Sequence, residues 1–228
     1  MNEYRKIETL FKRDDKFKVI IGSFKNPVYG LIKEWDWTEK IDGTNIRVIL
    51  TKEEKIYIKG RSENAQLHPE LFQYLLNAFP LSNLINTFWH NGEKFDVCLY
   101  GEGYGAGIQK GGEYYNTNKV FRLFDVLIDN RWWLNWENTI DVAIKLQIKT
   151  VPLLATMSIE DAIKWVKTGY KSIVAMGEAG KTKCAEGLVG RTRDILYDGR
   201  GNRLIIKLKT KDFYGINSDS QKGRACKK

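Results

Sequence analysis

The apolar positions fall into short β-type runs, with only a few helical stretches between them. Residues 3–12 carry an amphipathic pattern that predicts a short helix. From 28 to 61 the pattern turns strand-like. Ile46-Arg47-Val48-Ile49-Leu50 and Ile56-Tyr57-Ile58-Lys59 flank a polar turn and predict a hairpin. Residues 68–89 read as helical, with Leu71, Leu75, Leu76, Leu84 and Ile85 at apolar spacing. Residues 95–100 form a short apolar strand ending in glycines. Residues 121–128, the pair Asp129-Asn130 and residues 131–134 predict a second hairpin. Ser158-Ile159-Glu160-Asp161 opens a helix, with Ser158 as its cap. Leu188-Val189 and residues 203–209 are the last strands. Strands and helices do not alternate regularly. That predicts an α+β fold with antiparallel sheets flanked by helices, not a doubly wound parallel sheet. No repeat or linker interrupts residues 1–213, read as one domain, and residues 214–228 read as a polar, basic, frayed tail.

Composition narrows the function classes. Of the 228 residues, 43% are hydrophobic and 29% charged, the balance of a globular chain and not a disordered one. No apolar run reaches the length of a membrane span, and the charged N-terminus lacks the apolar centre of a signal peptide. Cys98, Cys184 and Cys226 are widely spaced and there are two histidines, so a zinc site is not expected and the cysteines read as buried or idle thiols in a reducing compartment. A net charge of +9 favours polyanionic partners.

Five short segments carry candidate chemistry. In Glu39-Lys40-Ile41-Asp42-Gly43-Thr44-Asn45 a lysine sits at a strand-to-loop junction. Partial desolvation or nearby cations there would free its amine as a nucleophile. Gly43 would let the backbone approach a phosphate. Tyr100-Gly101-Glu102-Gly103-Tyr104-Gly105 sets a carboxylate among glycines, suited to a ribose hydroxyl or a metal-bound water. In Phe121-Arg122-Leu123-Phe124-Asp125-Val126 an aromatic that could stack a purine precedes an acid, although regular alternation would send Phe124 and Asp125 to opposite faces. Glu186-Gly187-Leu188-Val189 offers a carboxylate for a divalent cation. In residues 204–209 alternation puts Lys207 and Lys209 on one face, where they would flank an anion.

The ordered set Lys-x-Asp-Gly, Gly-Glu-Gly, Phe-Asp, Glu-Gly-x-Val and Lys-x-Lys resembles the motifs of the covalent nucleotidyltransferases, the superfamily of polynucleotide ligases and mRNA capping enzymes. The form Lys-x-Asp-Gly-Thr-Asn is most similar to the RNA ligase 2 group, and DNA ligases usually carry an arginine near where Asn45 stands. The resemblance implies an ATP-dependent RNA ligase with a nucleotidyltransferase domain, using ATP and Mg²⁺ or Mn²⁺. It implies Lys40 as nucleophile, forming lysyl-AMP that is passed to a 5′-phosphate end and sealed to a 3′-hydroxyl. By the same likeness Glu39 and the Ile41 backbone meet adenine, Phe124 stacks on it and Glu102 holds the ribose. Glu186 helps hold the metal, and Lys207 and Lys209 contact the α-phosphate. Arg61 resembles an arginine that touches phosphate, and Asn45 is placed at the 5′-phosphate end. Asp42, Gly43 and Asp125 complete the motifs. Family members commonly carry a further C-terminal domain, which leaves three alternatives open: a minimal ligase, an excised catalytic domain, or an enzyme served by a helper domain or protein in trans. The expected setting is intracellular, cytoplasmic or viral and phage-encoded in a host cell.

Other readings share some of these features. A DNA ligase or a capping guanylyltransferase would use the same lysine. A non-catalytic nucleic-acid-binding module would explain the charge but not five ordered motifs. Residues 175–182, Ala-Met-Gly-Glu-Ala-Gly-Lys-Thr, match a loosened Walker A. That motif needs a helix directly after it, whereas residues 184–190 read as strand with two glycines. The segment is therefore expected to be a mobile basic loop.

Overall fold

The computed structural model describes residues 3–213. The tail expected at 214–228 lies outside them. The strands in chain order are β1 (Glu8–Thr9), β2 (Phe11–Arg13), β3 (Val19–Phe24), β4 (Trp35–Lys40), β5 (Thr44–Leu50), β6 (Ile56–Lys59), β7 (Val97–Tyr104), β8 (Val120–Ile128), β9 (Trp132–Trp133), β10 (Lys149–Thr150), β11 (Leu153–Met157), β12 (Gly187–Arg191) and β13 (Ile205–Lys209). The helices are α1 (Pro69–Ala78), α2 (Leu81–Phe88), α3 (Trp136–Lys145), α4 (Ile159–Thr168) and α5 (Ile173–Ala179). None is long and apolar enough to cross a membrane. These elements form two compact units. The first comprises residues 3–5 and 42–151, the second residues 6–41 and 152–213.

The first unit is built on a sheet ordered β10-β8-β7-β5-β6, with β9 added to β8. All its pairings are antiparallel except β10 with β8. One face is dry. Ile46, Val48 and Leu50 of β5, Val97 and Leu99 of β7, and Phe121, Leu123 and Val126 of β8 pack there against Leu71 and Leu75 of α1, Leu84 of α2 and Val142 of α3. Both expected hairpins are present. In the second, Asp129 (φ 49) and Asn130 (φ 53) take the two left-handed positions that a tight two-residue turn demands. The helix expected over 68–89 is two helices, because Pro80 disfavours helical backbone at Phe79 and lacks the N–H to continue the ladder. Cys98 is a buried free thiol, pushed up to about 12 by burial. Cys184 is disulfide-bonded, which corrects the expectation of an idle thiol at that position.

The second unit is built on a sheet ordered β1-β13-β12-β4-β11, antiparallel except for β1 with β13. Its core gathers Trp35 and Trp37 of β4, Leu188 of β12 and Ile206 and Leu208 of β13 under Ile159, Ala162 and Val166 of α4. Each buried tryptophan removes on the order of 150–250 Å² from water, which makes this stripe a main source of stability. Trp37 also donates its ring N–H to the Met157 carbonyl at 3.1 Å. Gly190, opposite Trp37 in the ladder, leaves room for that ring: a Cβ there would sit 2.7 Å from it. Ser158 caps α4 as expected, accepting from the Asp161 N–H. The helix expected over residues 3–12 is absent. Thr9 pairs in parallel with Lys207, and Leu10 and Phe11 enter the core, so tertiary burial overrides the local helical pattern.

Candidate active site

In the second unit β4, β12 and β13 lie side by side, and the ladder places Lys40 opposite Gly187 and Gly187 opposite Lys209. Since Trp37, Leu188 and Leu208 face the core, Lys40, Lys207 and Lys209 stand on the other face. Lys40 Nζ donates to Glu186 Oε2 at 2.5 Å, and Lys209 Nζ lies 3.1 Å from Glu186 Oε1. The chain around Glu186 is fixed from both sides. The Thr210 N–H donates to the Glu186 carbonyl (2.9 Å), the Thr210 hydroxyl to the Ala185 carbonyl (2.9 Å) and the Tyr170 hydroxyl to the Gly187 carbonyl (2.5 Å). Gly187 has φ +155°, and a Cβ there would lie 1.9 Å from the Leu208 carbonyl oxygen, so only glycine fits between the two lysines.

The electrostatics of this face call for an anion. Burial alone would push the Glu186 carboxyl up, but Lys40 and then Lys209 outweigh it and hold it below the usual range. Lys207 is pulled down to about 8, first by burial and then by repulsion from Lys209, Lys40 and Lys6, with Glu186 opposing. Three lysines thus share one carboxylate, a deficit that a phosphate group would fill. No cluster of three or more His, Cys, Asp or Glu that could hold a metal occurs among the described residues.

Glu39, next to Lys40, turns the other way. It is 1% exposed, and its carboxylate accepts from the Ser172 hydroxyl and from the N–H groups of Ile173 (2.9 Å) and Val174 (3.3 Å) at the start of α5. Ser172 also accepts from the Ala175 N–H at 3.0 Å. The sequence motifs do not single out Ser172, although a serine three residues before an N–H in an apolar run is a capping signal. This helix corrects the expectation of a mobile loop at 175–182. Residues 175–179 are its body, and Gly180 ends it in left-handed backbone. A phosphate loop needs a helix that begins after it; here one ends, and Lys181 follows it. Ile41 is buried just beyond β4.

In the first unit, Asn45, Glu102, Phe124 and Asp125 share the sheet face turned away from the helices. Asn45 is paired with Glu102 across β5 and β7, and its Oδ1 is buried without a hydrogen-bond partner. Gly101 and Gly103 point at Phe121, Leu71 and Ile46 in the core, which sends Glu102 outward. On β8 a bulge resolves the conflict of facing. Tyr100 pairs with Asp125 but Gly101 pairs with Leu123, so Phe124 is an extra residue in the ladder. Leu123 and Val126 both enter the core, and Phe124 and Asp125 between them stand on the same side. Tyr4 touches both. Its ring lies 5.0 Å edge-on from Phe124, and its hydroxyl donates to Asp125 Oδ2 at 2.7 Å. No sequence signal links Tyr4 to residues so far along the chain. The Asp42 N–H lies 3.4 Å from the Tyr115 hydroxyl. A Cβ at Gly43 would lie 2.3 Å from the Gly103 carbonyl oxygen, so the turn packs tightly against β7. Arg61 is exposed beyond β6, and the Gly60 carbonyl just before it accepts from buried Arg47 Nε at 2.9 Å.

An antiparallel α+β chain that gathers three lysines around one carboxylate is equipped to handle phosphate. The RNA ligase family model matches residues 33–209, most of the chain, and the chain belongs to that family. A search of curated proteins finds no match. Among solved structures it is similar to an archaeal ATP-dependent RNA ligase, with TM-score 0.61 and 17% identity over 93% of this chain and 49% of that one. It is also similar to mutants of the Naegleria gruberi RNA ligase with ATP and Mn. One has TM-score 0.61 and 16% identity over 96% of this chain and 61% of that one. Another has TM-score 0.58 and 17% identity over 79% and 50%. At these identities the likeness is one of fold. The chain spans about half the length of the first of these structures.

Proposed function

We propose that the chain is an ATP-dependent RNA ligase working through lysyl-AMP on Lys40. The observation that carries this reading is the pairing of Lys40 and Lys209 with the two oxygens of Glu186, on a face short of negative charge, in a chain of the RNA ligase family. The Lys40 amine attacks the α-phosphorus of ATP. A nitrogen–phosphorus bond forms and the bond to pyrophosphate breaks. The AMP then passes to the 5′-phosphate of an RNA end, and a 3′-hydroxyl displaces it to close the strand. Attack requires an unprotonated amine, so the proton that Lys40 shares with Glu186 must leave first. Lys207 and Lys209 neutralise charge that builds on the phosphoryl oxygens, a role of position and charge. A Mg²⁺ or Mn²⁺ ion held in part by Glu186 would supply further neutralisation of the phosphates.

Glu102 is assigned to the ribose, Phe124 to the adenine face, and the backbone of Glu39 and Ile41 to the adenine edge. The Glu39 carboxylate also caps α5, which fixes β4 immediately before Lys40. Asn45 and Arg61 are assigned to the 5′-phosphate end, with Asp42, Gly43 and Asp125 shaping the surrounding backbone. RNA is assigned as the acceptor over DNA on the family match and on asparagine at position 45, where DNA ligases usually carry an arginine. An intracellular setting is assigned with this activity. The test is incubation with α-labelled ATP and Mg²⁺, followed by a denaturing gel. A label that survives denaturation, needs Lys40 and ignores Lys181→Ala supports the reading. Absence of label, with intact mass excluding preloaded AMP, sinks it. Panels of ATP against GTP and of RNA against DNA nicks then separate ligase from capping chemistry.

A further inference from the structure

The β2–β3 hairpin in the second unit presents an aromatic ring in an unusual way. Its base is anchored, with Phe11 buried in the core and its ring stacked on Phe24 at 5.7 Å. Its tip, residues 14–18, is held by a dense set of bonds. Asp14 Oδ1 accepts from the N–H groups of Lys16 (3.0 Å) and Lys18 (2.8 Å), and the Phe17 N–H donates to the Asp14 carbonyl (2.9 Å). Arg13 donates to the Phe17 carbonyl (2.6 Å) while its other nitrogen pairs with Asp212 (2.6 Å). At the centre of this tip Phe17 has φ 59° and is 80% exposed. A bulky aromatic in left-handed backbone is a strained choice where glycine or asparagine would serve, and its ring contributes nothing to the core. Lys12, Lys16 and Lys18 lie close to it in the chain, all exposed and without a carboxylate partner among the described residues, alongside the exposed Asp14 and Asp15.

We infer that this tip is a contact for single-stranded RNA, with Phe17 stacking on an unpaired base and Lys16 and Lys18 meeting the flanking phosphates. A rigid exposed ring set among free ammonium groups is the combination that sequence-tolerant single-strand binding uses. An RNA strand uses both features, its bases stacking on the ring and its phosphates meeting the ammonium groups. The inference rests on the ligase reading for its substrate class and extends it to a residue outside the motifs.

The test measures binding of a 5′-phosphorylated single-stranded RNA by fluorescence anisotropy, with self-adenylylation followed in parallel. Phe17→Ala and Phe17→Gly are expected to weaken RNA binding roughly tenfold or more, and Phe17→Trp to retain it. All three should self-adenylylate like the parent. Phe17→Gly should melt no lower than the parent, since it relieves the left-handed strain, which removes a folding explanation for its lost binding. Replacing Lys16 and Lys18 by Gln should flatten the log–log salt slope by about 0.7 for each lysine. Unchanged RNA affinity in Phe17→Ala and Phe17→Gly overturns the inference and points the hairpin at a protein partner. RNA binding that depends on Phe17, in a protein that never forms lysyl-AMP, would leave this inference standing and remove the ligase reading.

Discussion

Tyr4 donates a 2.7 Å hydrogen bond to the buried carboxylate of Asp125, across 121 positions of sequence. Its ring also lies near Tyr100 and Trp133, at 5.0 and 5.9 Å. Tyr4→Phe keeps the ring and takes one donor from a buried carboxylate, a loss of about 1–3 kcal/mol. Urea unfolding should show that loss as a lower midpoint at unchanged slope. A double-mutant cycle with Asp125→Asn should find the two changes coupled, and strict additivity would mean the bond carries no stability.

Glu186 is the anionic partner of both Lys40 and Lys209. Glu186→Gln keeps the shape and removes the charge, leaving the lysines to repel one another. Lysyl-AMP formation should fall about 100-fold or more, a magnitude usual for losing one group of a preorganised charged site. The label per mole of protein, measured across a Mg²⁺ titration, checks it. A parental rate would exclude Glu186 from the chemistry.

The depressed Lys207 makes stability depend on alkaline pH. The folded state gives up this proton near pH 8, while the unfolded chain keeps it until about 10.5. Between those values the unfolded state binds more protons, so the term favours folding increasingly as pH rises. Lys207→Met lacks that dependence, and its stability advantage over the parent should shrink from pH 8 toward 10. ATP, by restoring the charge on Lys207, should bind with net proton uptake near pH 8.5. Calorimetry in buffers of different ionisation heat would detect this, and proton release would contradict it.

Gly187 is the narrowest point of the site. Gly187→Ala forces a Cβ to within 1.9 Å of the Leu208 carbonyl oxygen in backbone that alanine resists. The β12–β13 ladder must shift, at a cost of about 1–3 kcal/mol or more, and the Lys40–Glu186–Lys209 geometry shifts with it. Melting temperature and lysyl-AMP formation should fall together. A stable variant with full activity would show that this alignment is not needed.

The antiparallel α+β class was legible because alternation is a local signal. The 46–50 and 56–59 hairpin and the shared face of Lys207 and Lys209 both follow from period two. The break at Pro80 is equally present in the residues, but the apolar stripe that runs through it predicts one longer helix. Residues 8–10 misled because their fate is set by pairing with β13, far along the chain, and not by their own pattern. The Glu39–Ser172 contact was invisible for the same reason, joining residues 133 apart. The bulge was hidden by composition: Phe124 and Leu127 are themselves apolar, which blurs the step between the Phe121–Leu123 and Val126–Ile128 phases.

That bulge makes one residue surplus to the weave of its sheet. Strike Phe124 from β8 and Leu123, Asp125, Val126, Leu127 and Ile128 alternate inward and outward without a break, each with a neighbour on β7. Hydrogen bonding and core packing would be better served by the shorter strand. The extra residue is a departure from regularity that folding alone does not ask for, and what it adds to the face turned away from the helices is an aromatic ring beside a buried acid.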